Sequence, residues 1–121
     1  MKRIINILLI IVVMVLINFT SVEAESNKQK YKSYARKLVT EKYHWKGDNY
    51  KNLVKLWNRE SGWRVHARNG IYYGIPQTNI NNYGKNYNSY KTQIKVGLKY
   101  IKNRYNTPNK AWRHFQIYNW Y

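Results

Sequence analysis

The sequence predicts a small, mainly α domain with a loop-rich or short-hairpin centre, preceded by an apolar leader. Three observations predict it. Apolar side chains recur at helical spacing on both sides of the middle of the chain; Gly, Asn and paired Tyr break that rhythm in between; and 121 residues leave room for one domain at most.

The leader comes first. Met1-Lys2-Arg3 is a positive start, the next stretch to Phe19 is almost wholly apolar, and Val22-Glu23-Ala24 places small residues where a signal peptidase reads. Residues 1–24 therefore read as a secretory signal peptide cleaved after Ala24. An uncleaved anchor is the alternative, but an apolar run of about 16 residues interrupted by Asn6 and Asn18 falls short of the ~20 that cross a bilayer. The expected product is secreted, extracellular or wall-associated, with no stable membrane span after cleavage. Residues 25–46 would form its N-terminal helix and residues 47–121 its functional domain.

Tyr31, Tyr34, Ala35, Leu38 and Val39 share one helical face, so residues 28–43 read as an amphipathic helix with lysines outside. A connector centred on Gly47 follows. Asp48 is placed to cap a second helix over 49–60, whose buried stripe is Leu53, Leu56 and Trp57, and Gly62 can end it in the left-handed conformation. Residues 63–77 carry Asn69-Gly70 and Gly74 around the β-formers Ile71, Tyr72 and Tyr73, and read as a hairpin-like segment or irregular loop. The polar stretch 78–88 reads as an exposed loop. Ser89 caps a third helix to about Tyr105 with the stripe Ile94, Leu98, Ile101 and Tyr105, and Thr107-Pro108 starts a short fourth one carrying Ala111, Trp112 and Phe115. A domain of fewer than ~100 residues has a limited core, so its many Trp and Tyr must supply much of the buried area.

Composition narrows the chemistry. There is no cysteine, which excludes a disulfide scaffold, a zinc–thiolate site and a thiol nucleophile. The three histidines lack metal-ligand spacing, so neither metal nor cofactor is expected; His114, on the last helix, is the one placed to reach a cleft. Lys and Arg number 22 against 5 Asp and Glu, a formal charge of +17, which points to an anionic partner. Export directs that charge toward anionic wall polymers such as teichoic acids and away from nucleic acid.

With so few acids, each can be weighed. Glu23 leaves with the leader, Glu25 lies near the new terminus, Glu41 sits on a lysine-rich helix face and Asp48 is a cap. Glu60 has no such structural job. It falls one turn beyond Leu56 and Trp57 on the apolar face, at a helix C-terminal end where the macrodipole disfavours negative charge. Dipole and burial should both raise its pKa, as a general acid requires. A salt bridge to Arg59 or Arg64 is the structural alternative.

The residues around it resemble a known family. Glu60-Ser61-Gly62-Trp63, Gly74-Ile75-Pro76-Gln77 fourteen residues after the glutamate, and Gln93-Ile94 followed by Gly97, Tyr100 and Ile101 are similar to the successive motifs of soluble-type lytic transglycosylases. The run from Asn52 to Trp63, with the closing Ala111-Trp112, His114 and Trp120-Tyr121, resembles the short C-terminal domains of secreted transglycosylase-like wall proteins and aggregation-promoting factors of Gram-positive bacteria. The resemblance covers roughly residues 47–121. It implies an α+β goose-type lysozyme-like fold that cuts the β-1,4 bond between N-acetylmuramic acid and N-acetylglucosamine in peptidoglycan, acting as a monomer. By the same resemblance Glu60 is the catalytic acid, Ser61 orients it or touches the sugar, Gln77 is a substrate contact, and Tyr100 matches the helix pattern. The family's later Ala-Tyr-Asn-Ala-Gly segment, whose tyrosine supports the acid, has no counterpart; residues 111–121 stand in its place.

Of Tyr72 and Tyr73, one is expected to face the cleft, and Tyr73 is taken as a sugar contact; Trp63 is expected in the core. Two-carboxylate glycosidases hold their pair ~5–5.5 Å or ~6.5–9.5 Å apart. Only Asp48 or Glu41 could partner Glu60 here, and neither lies in a matched motif, which favours a single-carboxylate transglycosylase over a hydrolytic lysozyme. A non-catalytic wall-binding or aggregation-promoting protein is the remaining alternative.

Overall fold

The computed structural model describes residues 2–121, so Met1 of the expected positive start lies outside the described residues. α1 runs from Lys2 to Lys37 and passes Ala24 without a break. Its apolar residues from Ile7 to Leu16 are all exposed. The apolar run alone is shorter than a bilayer, but the helix continues beyond it. The stretch Asn6–Lys42 is long and apolar enough to cross a membrane, and a signal sequence near an N-terminus has the same character. The length argument against an anchor therefore fails.

Residues up to Lys30 form one compact unit and Tyr31–Tyr121 a second. The second is mainly helical with a short three-stranded antiparallel sheet, as expected. At its start the predicted stripe is inward: Ala35 and Val39 are buried, with Tyr31, Tyr34 and Leu38 packed against them. The regular helix does not reach Tyr43. A π-turn over Leu38–Lys42 ends it, with the Tyr43 amide donating to the Leu38 carbonyl, and the Tyr43 ring then stacks on Trp45 at 4.3 Å between centroids.

α2 spans Asn49–Ser61 and buries Leu53, Leu56 and Trp57 completely. Asp48 occupies the N-cap position but its side chain makes no capping hydrogen bond. Asn49 does the tying instead: its Nδ2 donates to the Lys46 carbonyl at 2.7 Å, and its Oδ1 accepts from the Asn109 amide at 3.0 Å. Gly62, at φ 61° and ψ 31°, stops the helix as predicted.

The centre holds β1 (Arg68–Asn69), β2 (Tyr72–Tyr73) and β3 (Thr78–Asn79), in that spatial order. Arg68 pairs with Tyr73 and Asn69 with Tyr72 around a two-residue turn at Gly70-Ile71. The exposed loop expected over 78–88 is partly structured. Thr78 and Asn79 pair with β2, and Ile80–Asn86 forms a 3-10 segment kinked at Gly84. Tyr83 within it is buried, its hydroxyl donating to the Tyr73 carbonyl at 2.6 Å and accepting from the Thr78 amide.

α3 (Tyr90–Tyr105) and α4 (Pro108–Tyr118) begin at the predicted caps. Ser89 accepts from the Thr92 amide and Thr107 from the Lys110 amide, with Pro108 in the first turn. Ile94, Leu98, Ile101, Ala111 and Phe115 enter one core around the edge-to-face pair Trp57–Trp63.

A very close approach between helices and loop in this core is at Gly97 on α3. A Cβ there would lie 2.6 Å from Pro76 Cβ and 2.7 Å from Trp57 Cζ2, both in rigid rings. Gly97→Ala is therefore expected to cost ~1–3 kcal/mol by overpacking, although alanine is the better helix former. Urea unfolding measures it; a variant as stable as the parent would mean that the Trp57 and Pro76 rings yield freely.

Candidate active site

Glu60 is the penultimate residue of α2, and the turn after it is fastened from three sides. Ser61 is buried; its hydroxyl donates to the Ile75 carbonyl at 2.6 Å, with the Trp57 carbonyl 3.3 Å away. Arg64 Nε donates to the Ser61 carbonyl at 2.8 Å. Trp63 is fully buried, as expected, and its indole N–H donates to the Val54 carbonyl. Ser61 thus clips the end of α2 to the Gly74–Gln77 segment, and it is not among the residues that line the cleft.

That segment is held in turn by Gln93, which is completely buried. Its Oε1 accepts from the Ile75 amide at 2.9 Å, while Nε2 donates to the Val65 and Tyr87 carbonyls at 2.9 and 2.7 Å. Gly74, at φ 80°, lets the amide approach: a Cβ there would lie 2.4 Å from Gln93 Cδ. Gln77 also has a positive φ, 54°, and its Nε2 donates to the Ala67 and Gly74 carbonyls. Three motifs separated in sequence are thus joined into one floor beneath Glu60.

A cleft of about 580 Å³ opens over this floor. Glu60 and Gln77 line it, with Ile71 and Tyr72 on the hairpin side and Tyr100, Arg104, Trp120 and Tyr121 on the helical side. Of the expected site residues, Glu60, Gln77 and Tyr100 come together there. Tyr73 does not line it. The ring is buried, with its hydroxyl donating to Asn88 Oδ1 at 2.6 Å and lying 2.9 Å from His66 Nδ1. Strand alternation turns Tyr72 outward, and Tyr72 takes the cleft-facing place. His114 is also outside the lining; its Nδ1 lies 2.8 Å from the Trp120 carbonyl.

Burial pushes the Glu60 carboxyl up to about 7. Desolvation is the cause, and the helix-end dipole is not needed to explain it. The alternative, a salt bridge to Arg59 or Arg64, does not form: Arg59 lies over the Phe115 ring and Arg64 is turned to Ser61. Asp48 and Glu41 are exposed and absent from the lining, so Glu60 is the one side-chain carboxyl among the described residues that line the cleft.

Tyr121, in the closing segment, has a role in the cleft that no local sequence pattern signals. Its hydroxyl accepts from Trp57 Nε1 at 3.0 Å and donates to the Pro76 carbonyl. Burial, and then the charge of Glu60, raise this phenol well above its ordinary value, so it stays protonated beside the acid. Tyr100 packs edge-on against its ring at 5.5 Å. Thr78 Oγ1, also on the lining residues, is buried without a hydrogen-bond partner among the described residues. No group of three metal-type ligands occurs among those residues.

Compared with models of known protein families, with curated proteins and with solved structures, the chain gives no match.

Proposed function

We propose that the chain is a secreted lytic transglycosylase acting on the glycan strands of the bacterial cell wall. The observation that carries the reading is Glu60: a single carboxyl, part-buried in a cleft, with a pKa near 7. Ligand sites commonly occupy ~300–1,000 Å³, and this cleft falls within that range. Walls of Tyr, Trp, Gln and Asn offer the flat faces and amide groups that sugar rings take up. The ordered motifs that resemble the transglycosylases supply the floor, the acid and the neighbouring helix of this cleft.

In the proposed reaction the protonated Glu60 donates its proton to the glycosidic oxygen as the bond from C1 of the N-acetylmuramic acid breaks. The substrate's N-acetyl oxygen stabilises the positive charge developing at C1. The Glu60 carboxylate then removes the proton of the C6 hydroxyl, O6 closes on C1, and a 1,6-anhydro ring forms with the acid regenerated. One group serves as acid and then base, for which a pKa near the working pH is best suited. A paired-carboxylate hydrolase would need a second acidic side chain in the cleft, and no other lining residue carries one.

In this reading the apolar N-terminal helix is the signal sequence, and the net charge of +16 that remains on residues 25–121 holds the exported protein on anionic wall polymers. Digestion of purified cell walls followed by mass spectrometry of the muropeptides tests it. Products one water lighter than reducing muropeptides, and resistant to borohydride, are expected. Ordinary reducing ends would make the enzyme a hydrolytic lysozyme, and undigested walls would leave only a binding protein.

A further inference from the structure

The cleft contains one cation, Arg104. It stands in the last turn of α3, where a positive charge complements the helix dipole whatever else it does. Its surroundings go further than that. Nε donates to the Tyr105 hydroxyl at 3.2 Å, and the guanidinium lies 5.2 Å from the centre of the Trp120 ring and 5.7 Å from that of Tyr105. Two aromatic faces and one hydroxyl hold the plane of the group, which orients its outer N–H donors. The group is exposed and makes no ion pair among the described residues, and Glu60 is the one side-chain carboxyl on the cleft lining. Glu60 is not its counter-ion: no ion pair joins the two side chains.

The geometry points to Arg104, backed by Trp120, as a specificity determinant that takes a carboxylate carried on the side arm of the glycan. This rests on the glycan-cleaving reading above and adds to it which strands are chosen. A fixed guanidinium fork matches a planar carboxylate, and a neutral N-acetylglucosamine polymer has none to offer. Two carboxylates of the wall fit the chemistry: the lactyl acid of muramic acid, and the free acids of a stem peptide attached to it. The surface lysines supply attraction without this orientation.

The test is a binding cycle on the full chain carrying Glu60→Gln, so that ligand is not consumed, kept in a polyoxyethylene detergent because of its apolar helix. Titration calorimetry compares three tetrasaccharides of alternating N-acetylglucosamine and N-acetylmuramic acid: free lactyl acid, lactyl amide, and a form bearing an Ala-Glu stem. An acidic ligand should bind ~10-fold more tightly than the amide, and Arg104→Gln should erase that ratio. Arg104→Lys, which keeps charge and stem but loses the fork, should retain only part of it. Preference for the stem-bearing form alone places the carboxylate on the peptide; preference for the free lactyl acid places it on the sugar. Equal affinity for acidic and amide ligands, or a preference that survives Arg104→Gln, overturns the inference while leaving the glycan reading intact. If no tetrasaccharide binds, both fall. Should Arg104→Gln fail to fold, the acid–amide comparison with Arg104 present and with Arg104→Lys still decides.

Discussion

Glu60→Gln is expected to lower wall cleavage by ~10²–10⁴-fold, the usual worth of a positioned general acid. The same substitution should stabilise the fold at alkaline pH. The carboxyl ionises near 4.5 in the unfolded chain and at about 7 in the folded one, so between these values the folded state keeps a proton that the unfolded state has lost. Stability therefore falls as pH rises through this window, and the penalty is complete above 7. At ~1.4 kcal/mol per pH unit the difference is ~3 kcal/mol, and roughly half that once solvent reaching a part-exposed carboxyl is allowed for. Glutamine carries no such penalty. Thermal melts should thus show the variant several degrees above the parent at pH 8 and level with it at pH 4. Full cleavage by the variant would end the assignment of Glu60 as the acid; a melting gap that ignores pH would mean the carboxyl is not desolvated.

Gln93→Leu should unfold the domain or nearly so. The side chain keeps its volume, but the Ile75 amide and the Val65 carbonyl lose the group that satisfies them in the core, and the part-buried Tyr87 carbonyl loses its donor as well. Each buried orphan costs ~1–3 kcal/mol, so the total approaches the ~5–15 kcal/mol by which domains are stable. Urea unfolding monitored by far-ultraviolet circular dichroism gives the measurement. A loss below ~1 kcal/mol would show that water reaches these groups and that Gln93 is no clamp. Gln93 stood in a recognised motif, yet its sequence neighbours say nothing of its three partners. They lie 28, 18 and 6 residues away along the chain.

Helix α2 and the starts of α3 and α4 were legible because capping chemistry and helical spacing are local. Ser89, Thr107 and Gly62 satisfy or terminate backbone groups within a few residues of themselves. Asp48 shows the limit: a capping residue in the right place makes no cap when Asn49 has already tied the helix start to Asn109. Strand β3 was illegible for another reason. Two residues are too few for alternation to appear, and a polar stretch rich in Asn and Tyr hides a tyrosine whose ring is buried because its hydroxyl has partners. The choice between Tyr72 and Tyr73 depended on strand register, which a one-residue slip inverts.

The amino-acid sequence by itself determined the helical class, the apolar character of the N-terminal helix, the net positive charge and the candidacy of Glu60, all of which follow from composition or short-range spacing. Tertiary structure alone decided what surrounds that acid. It removed both arginines as ion-pair partners, enclosed the carboxyl enough to raise its pKa, and brought Tyr121 and Arg104 to the same cleft. Desolvation and through-space charge depend on distance in three dimensions, and residues sixty positions apart in the chain carry no local trace of being neighbours.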